Sequence, residues 1–233
     1  MLAPRITEFV ISCEHAGNRI PARYRKLFSH RLLSSHRAYD PGALTVARDF
    51  ARAFRARLFY SAVSRLLVEL NRSPGHPQSF SAHVPVRLRA ELMKRYYRPY
   101  RERLEAHVGA AVRRGRRVVH LSCHSFTPRL AGVWRRADVG LLFDPRRGPE
   151  RTFCTAWQTQ LRGLVVRKNY PYRGSDDGLT TYLRTRFAAR DYVGIELEVN
   201  QKFPKAGGAR WLKLRRLLVA SFPIKTPSFF AMR

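Results

Sequence analysis

Two histidines stand in the same setting at the ends of two apolar segments. His15 comes shortly after the run "FVISC", and His124 comes directly after "VVHLSC". Because the carboxyl ends of neighbouring strands in an open α/β sheet meet at one edge, we expect both imidazoles at that edge. Histidine with a carboxylate is a ligand set that zinc takes at catalytic sites, with one position left for water. Asp40, directly after "HRAY", is a carboxylate that could complete the set. A hydrogen-bonded core or loop residue is the alternative role for each histidine taken alone.

Two acidic residues interrupt the apolar run "YVGIELEV". Glu196 and Glu198 stand two apart, so in a strand they point to the same face. A buried carboxylate is costly unless it is paired or bound to a metal. A carboxylate beside a metal can act as a general base. An ion pair with one of the many arginines is the alternative explanation.

Arginines flank another apolar segment, "LLVELN", which we predict as a strand. Arg65 precedes it, and Arg72 follows it at the start of the Pro/Gly-rich loop "NRSPGHPQSFS". Arginine binds carboxylates in a bidentate manner, and loops at strand ends often carry function. A clamp on an anionic substrate is one interpretation, and solvated surface arginines are the other. The later loop "NYPYRGSDDG" contains Arg173, and we interpret it either as a substrate loop or as a turn with a helix N-cap.

Cysteines lie close before both histidines, which raises the question of a Cys–His nucleophile. Strand alternation points Cys123 away from its neighbour His124 but does not separate Cys13 from His15. A free cysteine in an apolar run is most often a small buried residue. We therefore predict that both cysteines belong to the core.

Strand-like and helix-like periodicity alternate along the chain, which indicates an α/β protein with a mixed or largely parallel sheet flanked by helices. The predicted strands are "EFVISC", "LFYSAV", "RLLVELN", "RVVHLSCHSF", "ADVGLLFD" and "YVGIELEVNQ". The predicted helices are "IPARYRKLF", "DPGALTVARDFARAFRARL" with Asp40 as its N-cap, a long region over 85–115, "RTFCTAWQTQLRGL", a helix after Gly178, and "RWLKLRRLLVASF". No repeat or linker divides the chain, so a single domain over residues 1–233 is expected.

The composition bounds the cellular setting. The 233 residues suffice for a full hydrophobic core, and three cysteines favour a reducing compartment over a disulfide framework. The N-terminus lacks the apolar region of a signal peptide, and no apolar run approaches the ~20 residues of a membrane span. We expect a cytoplasmic protein that does not enter membranes.

The net charge is +29, from 45 Lys and Arg against 16 Asp and Glu. Such a surface attracts phosphates, so non-specific nucleic-acid binding is one interpretation. An arginine-rich solvated surface is the other, because the chain has no basic tail and no aromatic-interleaved basic strand.

Seven motifs in order resemble those of the N-formylglutamate amidohydrolase family. They run from about residue 8 to about residue 205 and read "ISCEHAGNRIP", "HRAYDPGA", "SRLLVELNRSP", "HLSCHSFTP", "RADVGLLFD", "NYPYRGSDDG" and "GIELEVNQ". The resemblance implies a fold similar to zinc-dependent carboxypeptidases, of the zinc-exopeptidase and phosphorylase/hydrolase type. It also implies zinc-dependent hydrolysis of the amide of a small anionic N-acyl amino acid, with N-formylglutamate as the namesake.

The same resemblance implies a set of metal ligands. His15 and His124 correspond to the metal-binding histidines. In the wider carboxypeptidase-like group a glutamate follows the first histidine by three positions, where this chain has Asn18. The acidic ligand is then Asp40, which we prefer, or Glu14.

The resemblance further implies Glu196 as the catalytic glutamate and Arg72, with Arg65 and Arg173, as binders of the substrate carboxylate. Two other hypotheses remain open at this point. A polyanion-binding protein would show salt-dependent affinity that does not need the histidines. A family member that keeps the fold without turnover is the third hypothesis, and Asn18 is the feature that suggests it.

Overall fold

A six-stranded mixed sheet forms the centre of the protein. The computed structural model describes residues 5–224. The strands, in chain order β1 to β8, are Thr7–Cys13, Arg57–Tyr60, Arg117–Phe126, Arg129–Leu130, Val133–Trp134, Val139–Leu142, Val166–Lys168 and Tyr192–Asn200. The sheet order is β2–β1–β3–β8–β6–β7, with β4 and β5 forming a separate two-stranded hairpin. Strands β2, β1, β3 and β8 are parallel, whereas β6 runs antiparallel to β8. The α/β class with a mixed, largely parallel sheet is confirmed.

Helices cover both faces of this sheet. In chain order, α1 to α8 are His30–Leu33, Ala43–Ala53, Val86–Leu92, Arg98–Arg113, Gly148–Gln160, Leu179–Arg186, Lys202–Ala206 and Gly208–Ala220. A 3₁₀ helix, Ala22–Leu27, and a π-helical segment, Met93–Tyr97, complete them. The π-helical segment joins α3 to α4, so the predicted long helical region is present. No helix within residues 5–224 has the length and apolar character needed to cross a membrane.

The two faces of the sheet pack against separate apolar cores. Side chains of β1 alternate between them, because Val10 lies in one core while Ile11 and Cys13 lie in the other. Strands β3 and β8 are buried along their whole length, as expected for central parallel strands. Cys13 and Cys123 are free thiols in the core, which confirms the predicted role.

The prediction of a strand over "RLLVELN" was wrong. Residues 65–71 form turns beside the carboxyl edge of the sheet and pair with no strand. Leu67, Val68 and Leu70 are buried in the core, while local partners satisfy the backbone, as when the Glu69 N–H donates to the Ser79 carbonyl over 3.0 Å. An apolar run that is buried beneath loops has the same composition as a central strand, so composition alone misassigned it.

Asp40 is not the N-cap of helix α2. The helix begins at Ala43, and its N-cap is Gly42, whose φ of 84° suits a residue without a β-carbon. The Asp40 side chain instead lies beside a ring nitrogen of each of two histidines, His15 and His124.

Candidate active site

The carboxyl ends of β1, β3 and β8 bring the predicted side chains together. His15 lies two residues beyond the end of β1, and His124 lies near the end of β3. The register of β3 and β8 pairs His124 with Glu198 and Ser122 with Glu196. A parallel sheet gathers strand ends at one edge, and here that edge carries both histidines and both glutamates.

Three side chains converge on a single point. The Nδ1 atoms of His15 and His124 lie 3.2 and 3.0 Å from the same oxygen of Asp40, Oδ2. These three ligand atoms lie within 4.8 Å of one another. All three residues are buried, with relative exposures of 2%, 3% and 5%. The backbone N–H of Ser125 also donates to Asp40 Oδ2, over 3.3 Å.

The opposite ring nitrogens of the two histidines face a second pair of carboxylates. His15 Nε2 contacts Glu69 Oε1. His124 Nε2 lies 3.1 Å from Glu14 Oε2 and 2.9 Å from the hydroxyl of Ser122. A carboxylate on the far nitrogen fixes the tautomer and the ring orientation of a metal-binding histidine.

Glu14 therefore lies behind His124 and outside the convergent group. It accepts hydrogen bonds from the Tyr100 hydroxyl over 2.9 Å and from the Ser122 hydroxyl over 2.6 Å. Asn18, at the position where the wider group has a glutamate, donates its amide to the Leu33 carbonyl over 2.9 Å. Of the two acidic residues considered from the sequence, Asp40 is the one whose oxygen meets both histidines.

The donor and acceptor types of these side chains fit a bound cation. Glu69 and Glu14 can only accept, so the Nε2 atoms of both histidines carry protons. A neutral imidazole then presents a lone pair at Nδ1, and both lone pairs face a carboxylate oxygen that can only accept. Without a cation the arrangement requires protonated rings, and a divalent cation between the three atoms satisfies all of them. Two imidazoles and a carboxylate are a zinc ligand set.

The electrostatics agree with this reading. Burial alone would lower the pKa of His124, but hydrogen bonds and charges from Asp40 and Glu14 hold that pKa well above its usual value. Burial and the charge of Arg65 lower the pKa of His15. The carboxylates of Glu69 and Asp40 outweigh both effects, so the pKa of His15 is raised. The surrounding carboxylates therefore favour a positive charge at this group.

Glu69 is the site residue that sequence reasoning missed. Its carboxylate accepts from Arg65 Nε over 2.7 Å and from the Asn71 N–H over 2.9 Å, besides contacting His15. Arg65 also approaches Asp40 Oδ1, at 3.5 Å. An acidic residue inside the apolar run "LLVEL" is the same signal that indicated Glu196. Because that run was predicted as a strand, its position beside His15 was not expected.

The two glutamates of β8 differ in their partners. The Thr180 hydroxyl donates to Glu196 Oε1. Glu198 Oε2 is buried and has no hydrogen-bond partner among the described residues. Burial raises the pKa of Glu198 to about 8, partly offset by the nearby charge of His124. An unpartnered buried carboxylate oxygen beside the convergent group needs a proton, a cation or a substrate group to satisfy it.

A cavity of about 380 Å³, the first chamber, opens onto this group. Its walls include the two glutamates of β8 together with Arg72 and Arg173. Arg72 Nη1 donates to the Asp177 carbonyl, whereas Arg173 is exposed at the rim. The Asn71 amide oxygen accepts from the Leu179 N–H over 2.7 Å, so these contacts join the two loops that carry the arginines.

The fold and the site define an α/β protein with a buried histidine–carboxylate centre at the carboxyl edge of its sheet. A family model for N-formylglutamate amidohydrolase matches residues 7–203. The chain belongs to the N-formylglutamate amidohydrolase family.

Two solved structures resemble this one. A gene product of Agrobacterium tumefaciens is 29% identical, with a TM-score of 0.78 over 92% of this chain and 90% of that chain. An N-formylglutamate amidohydrolase from Ralstonia eutropha is 19% identical, with a TM-score of 0.68 over 94% and 93% of the two chains. At that identity the second likeness shows the fold alone. No protein of curated function matches the chain significantly.

Proposed function

We propose that this protein hydrolyses the amide bond of an N-acyl amino acid of the N-formylglutamate type and that zinc assists the reaction. The observation that carries the proposal is the convergence of His15, His124 and Asp40 on one point, each imidazole fixed from behind by a second carboxylate. These three residues would hold the ion. A zinc ion held there would supply Lewis-acid chemistry, that is, a lowered pKa of bound water and polarisation of the acyl carbonyl.

A carboxylate of β8 serves as the general base. The resemblance to the wider family assigns this role to Glu196, and the geometry favours Glu198. Glu198 pairs across the strands with His124 and has a free oxygen, whereas Glu196 is held by Thr180. We therefore assign proton abstraction from the attacking water to Glu198, with Glu196 as the second candidate. The same carboxylate then returns the proton to the leaving nitrogen.

Arg72 and Arg173 are the proposed binders of the substrate carboxylates. Arg72 uses one guanidinium nitrogen on the Asp177 carbonyl and keeps others for a ligand. Arg65 is already paired with Glu69 and approaches Asp40. For this reason we propose that Arg65 positions those two carboxylates and does not itself bind the substrate.

Formate release from N-formyl-L-glutamate tests the proposal. Protein loaded with zinc should release formate and glutamate in equal amounts, chelation should stop the reaction, and added zinc should restore it. His30→Ala, at an exposed histidine of α1, is the matched control and should leave the rate unchanged. Zinc-loaded, folded protein that hydrolyses no N-acyl amino acid would refute the proposed activity.

A further inference from the structure

A second cavity, of about 410 Å³, adjoins the first chamber, and no substrate group has been assigned to it so far. We call it the second chamber. Six residues line both cavities, so the two are continuous beside the convergent group. These shared residues are Asp40, Arg65, Gln78, Ser125, Leu130 and Tyr172.

The positions of the glutamates determine which part of a substrate enters which chamber. Glu196 and Glu198 line only the first chamber. The leaving nitrogen must lie within reach of the carboxylate that protonates it, and Arg72 and Arg173 also belong only to the first chamber. The amino-acid part therefore occupies the first chamber, and the acyl part extends toward the second.

A formyl group does not use this space. It has one carbon and one oxygen, whereas ligand cavities usually enclose most of the surface of the molecule they bind. With formate as the acyl part, a chamber of about 410 Å³ next to the scissile bond would stay empty of substrate. Binding energy from remote substrate groups can be used to accelerate the reaction at the scissile bond.

The second chamber is lined by apolar, polar and charged side chains, and the carboxylates of Asp40 and Glu69 are among them. Leu66, Phe80 and Phe126 supply apolar surface, and Arg37 and Arg135 supply guanidinium groups. No ion pair of either arginine with a carboxylate occurs within residues 5–224. Arg135 lies over the ring of Tyr172, 5.3 Å from its centroid, and donates to its hydroxyl over 3.3 Å, so its charge stays uncompensated.

The pKa of His36, which also lines the chamber, is affected by these positive charges. Burial lowers its pKa, and the charges of Lys205, Arg37, Arg135 and Arg65 lower it further. Apolar surface beside guanidinium groups that form no ion pair suits a chain of methylene groups that ends in an anion.

We propose that the second chamber binds the acyl part of the substrate and that the preferred acyl group is a short carbon chain ending in a carboxylate. This inference rests on the proposed amide hydrolysis. Water adds its hydroxyl to the acyl carbon, the C–N bond breaks, and the nitrogen takes the proton. The products are a dicarboxylic acid and the free amino acid.

The first test compares N-acyl-L-glutamates on the zinc-loaded protein. The N-butyryl and N-pentanoyl substrates match the N-succinyl and N-glutaryl substrates in length but lack the terminal charge. We expect kcat/KM for the two charged substrates to be about 10- to 100-fold higher, the scale of a charge-assisted hydrogen bond. A formyl or acetyl substrate that exceeds all longer ones would overturn the inference and leave the proposed function standing. Failure of every substrate, formyl included, would instead refute the proposed function.

The second test assigns the preference to Arg135. Arg135→Gln should reduce the ratio of succinyl to butyryl kcat/KM at least tenfold, and Arg136→Gln, at the exposed neighbouring arginine, should keep it. Titration calorimetry with glutarate and with pentanoate gives a readout that needs no turnover. Glutarate should bind more tightly to the wild type, and Arg135→Gln should abolish the difference. An unchanged ratio and equal binding of the two acids would overturn the assignment.

Discussion

His120 and His124 lie on the same strand and the same face, four residues apart, and both are buried. The ring of His120 contacts two hydroxyls, Tyr192 at 2.7 Å and Ser12 at 2.8 Å. Burial lowers the pKa of His120 to about 4, whereas the pKa of His124, between Asp40 and Glu14, is raised. The charge of the partners, and not burial, separates a structural histidine from a candidate ligand.

The largest expected effect is on metal content. Untagged wild-type protein should carry about one zinc per chain, and His124→Ala should carry none because two of three ligands cannot hold the ion tightly. His120→Ala is the control, since its hydroxyl partners lie outside the convergent group and it should keep the metal. Mass spectrometry of all three proteins gives the answer, and equal zinc in both variants would contradict the contrast between the two histidines.

The next effect is on turnover. Glu198→Gln should keep the metal and reduce kcat by about 10² or more, the scale of general acid–base catalysis. Glu196→Gln, on the same strand and face, should have a smaller effect, because its carboxylate is held by Thr180. If the two variants exchange these effects, the base is Glu196, as the family resemblance implies.

A smaller effect, on metal affinity, is expected from the carboxylate that contacts the far ring nitrogen of His15. Glu69→Gln removes the charge that orients His15 and should weaken zinc affinity about 10- to 100-fold, the usual range for such partners. Competition with a chromophoric chelator measures this change, with Glu91→Gln, a surface carboxylate of α3, as the control. Unchanged affinity in Glu69→Gln would show that the second carboxylate does not contribute to metal binding.

The smallest effect is on the stability of the metal-free protein. The pKa of His124 is raised in the folded state and is ~6.5 in an unfolded chain. Its contribution is therefore complete below pH ~6.5 and is lost as pH rises toward the folded value. Urea unfolding of chelated wild type should show stability falling with pH above ~6.5, by up to ~1.4 kcal/mol per pH unit more than in His124→Ala. Parallel pH profiles would mean that His124 is not protonated in the metal-free fold.

Much of the site follows from the sequence, because strand ends in a parallel sheet meet at a known edge. His15, His124 and the two glutamates of β8 each stand in an apolar run whose direction the pattern indicates, and their meeting point follows from topology. The sequence also indicates Asp40 as a ligand candidate, but it wrongly predicts Asp40 as the N-cap of helix α2, which is Gly42.

The rest of the site, Glu69 and the second chamber, depends on contacts between distant segments that no local sequence pattern predicts. Glu69 lies in an apolar run that is buried without being a strand, so its position behind His15 could not be read from periodicity. The second chamber joins residues near positions 36, 80 and 135, which belong to three separate loops. Such a cavity arises only from the packing of distant segments, and a single sequence gives no signal for it.

The shared oxygen of Asp40 makes metal uptake an acid–base reaction. Two imidazole nitrogens that face one acceptor hold protons while the site lacks an ion, and an incoming cation must displace them. Loading therefore releases protons into the surrounding buffer. Protons at low pH would compete with a metal ion for the same three atoms, so the ambient pH would set the fraction of the protein that holds the ion.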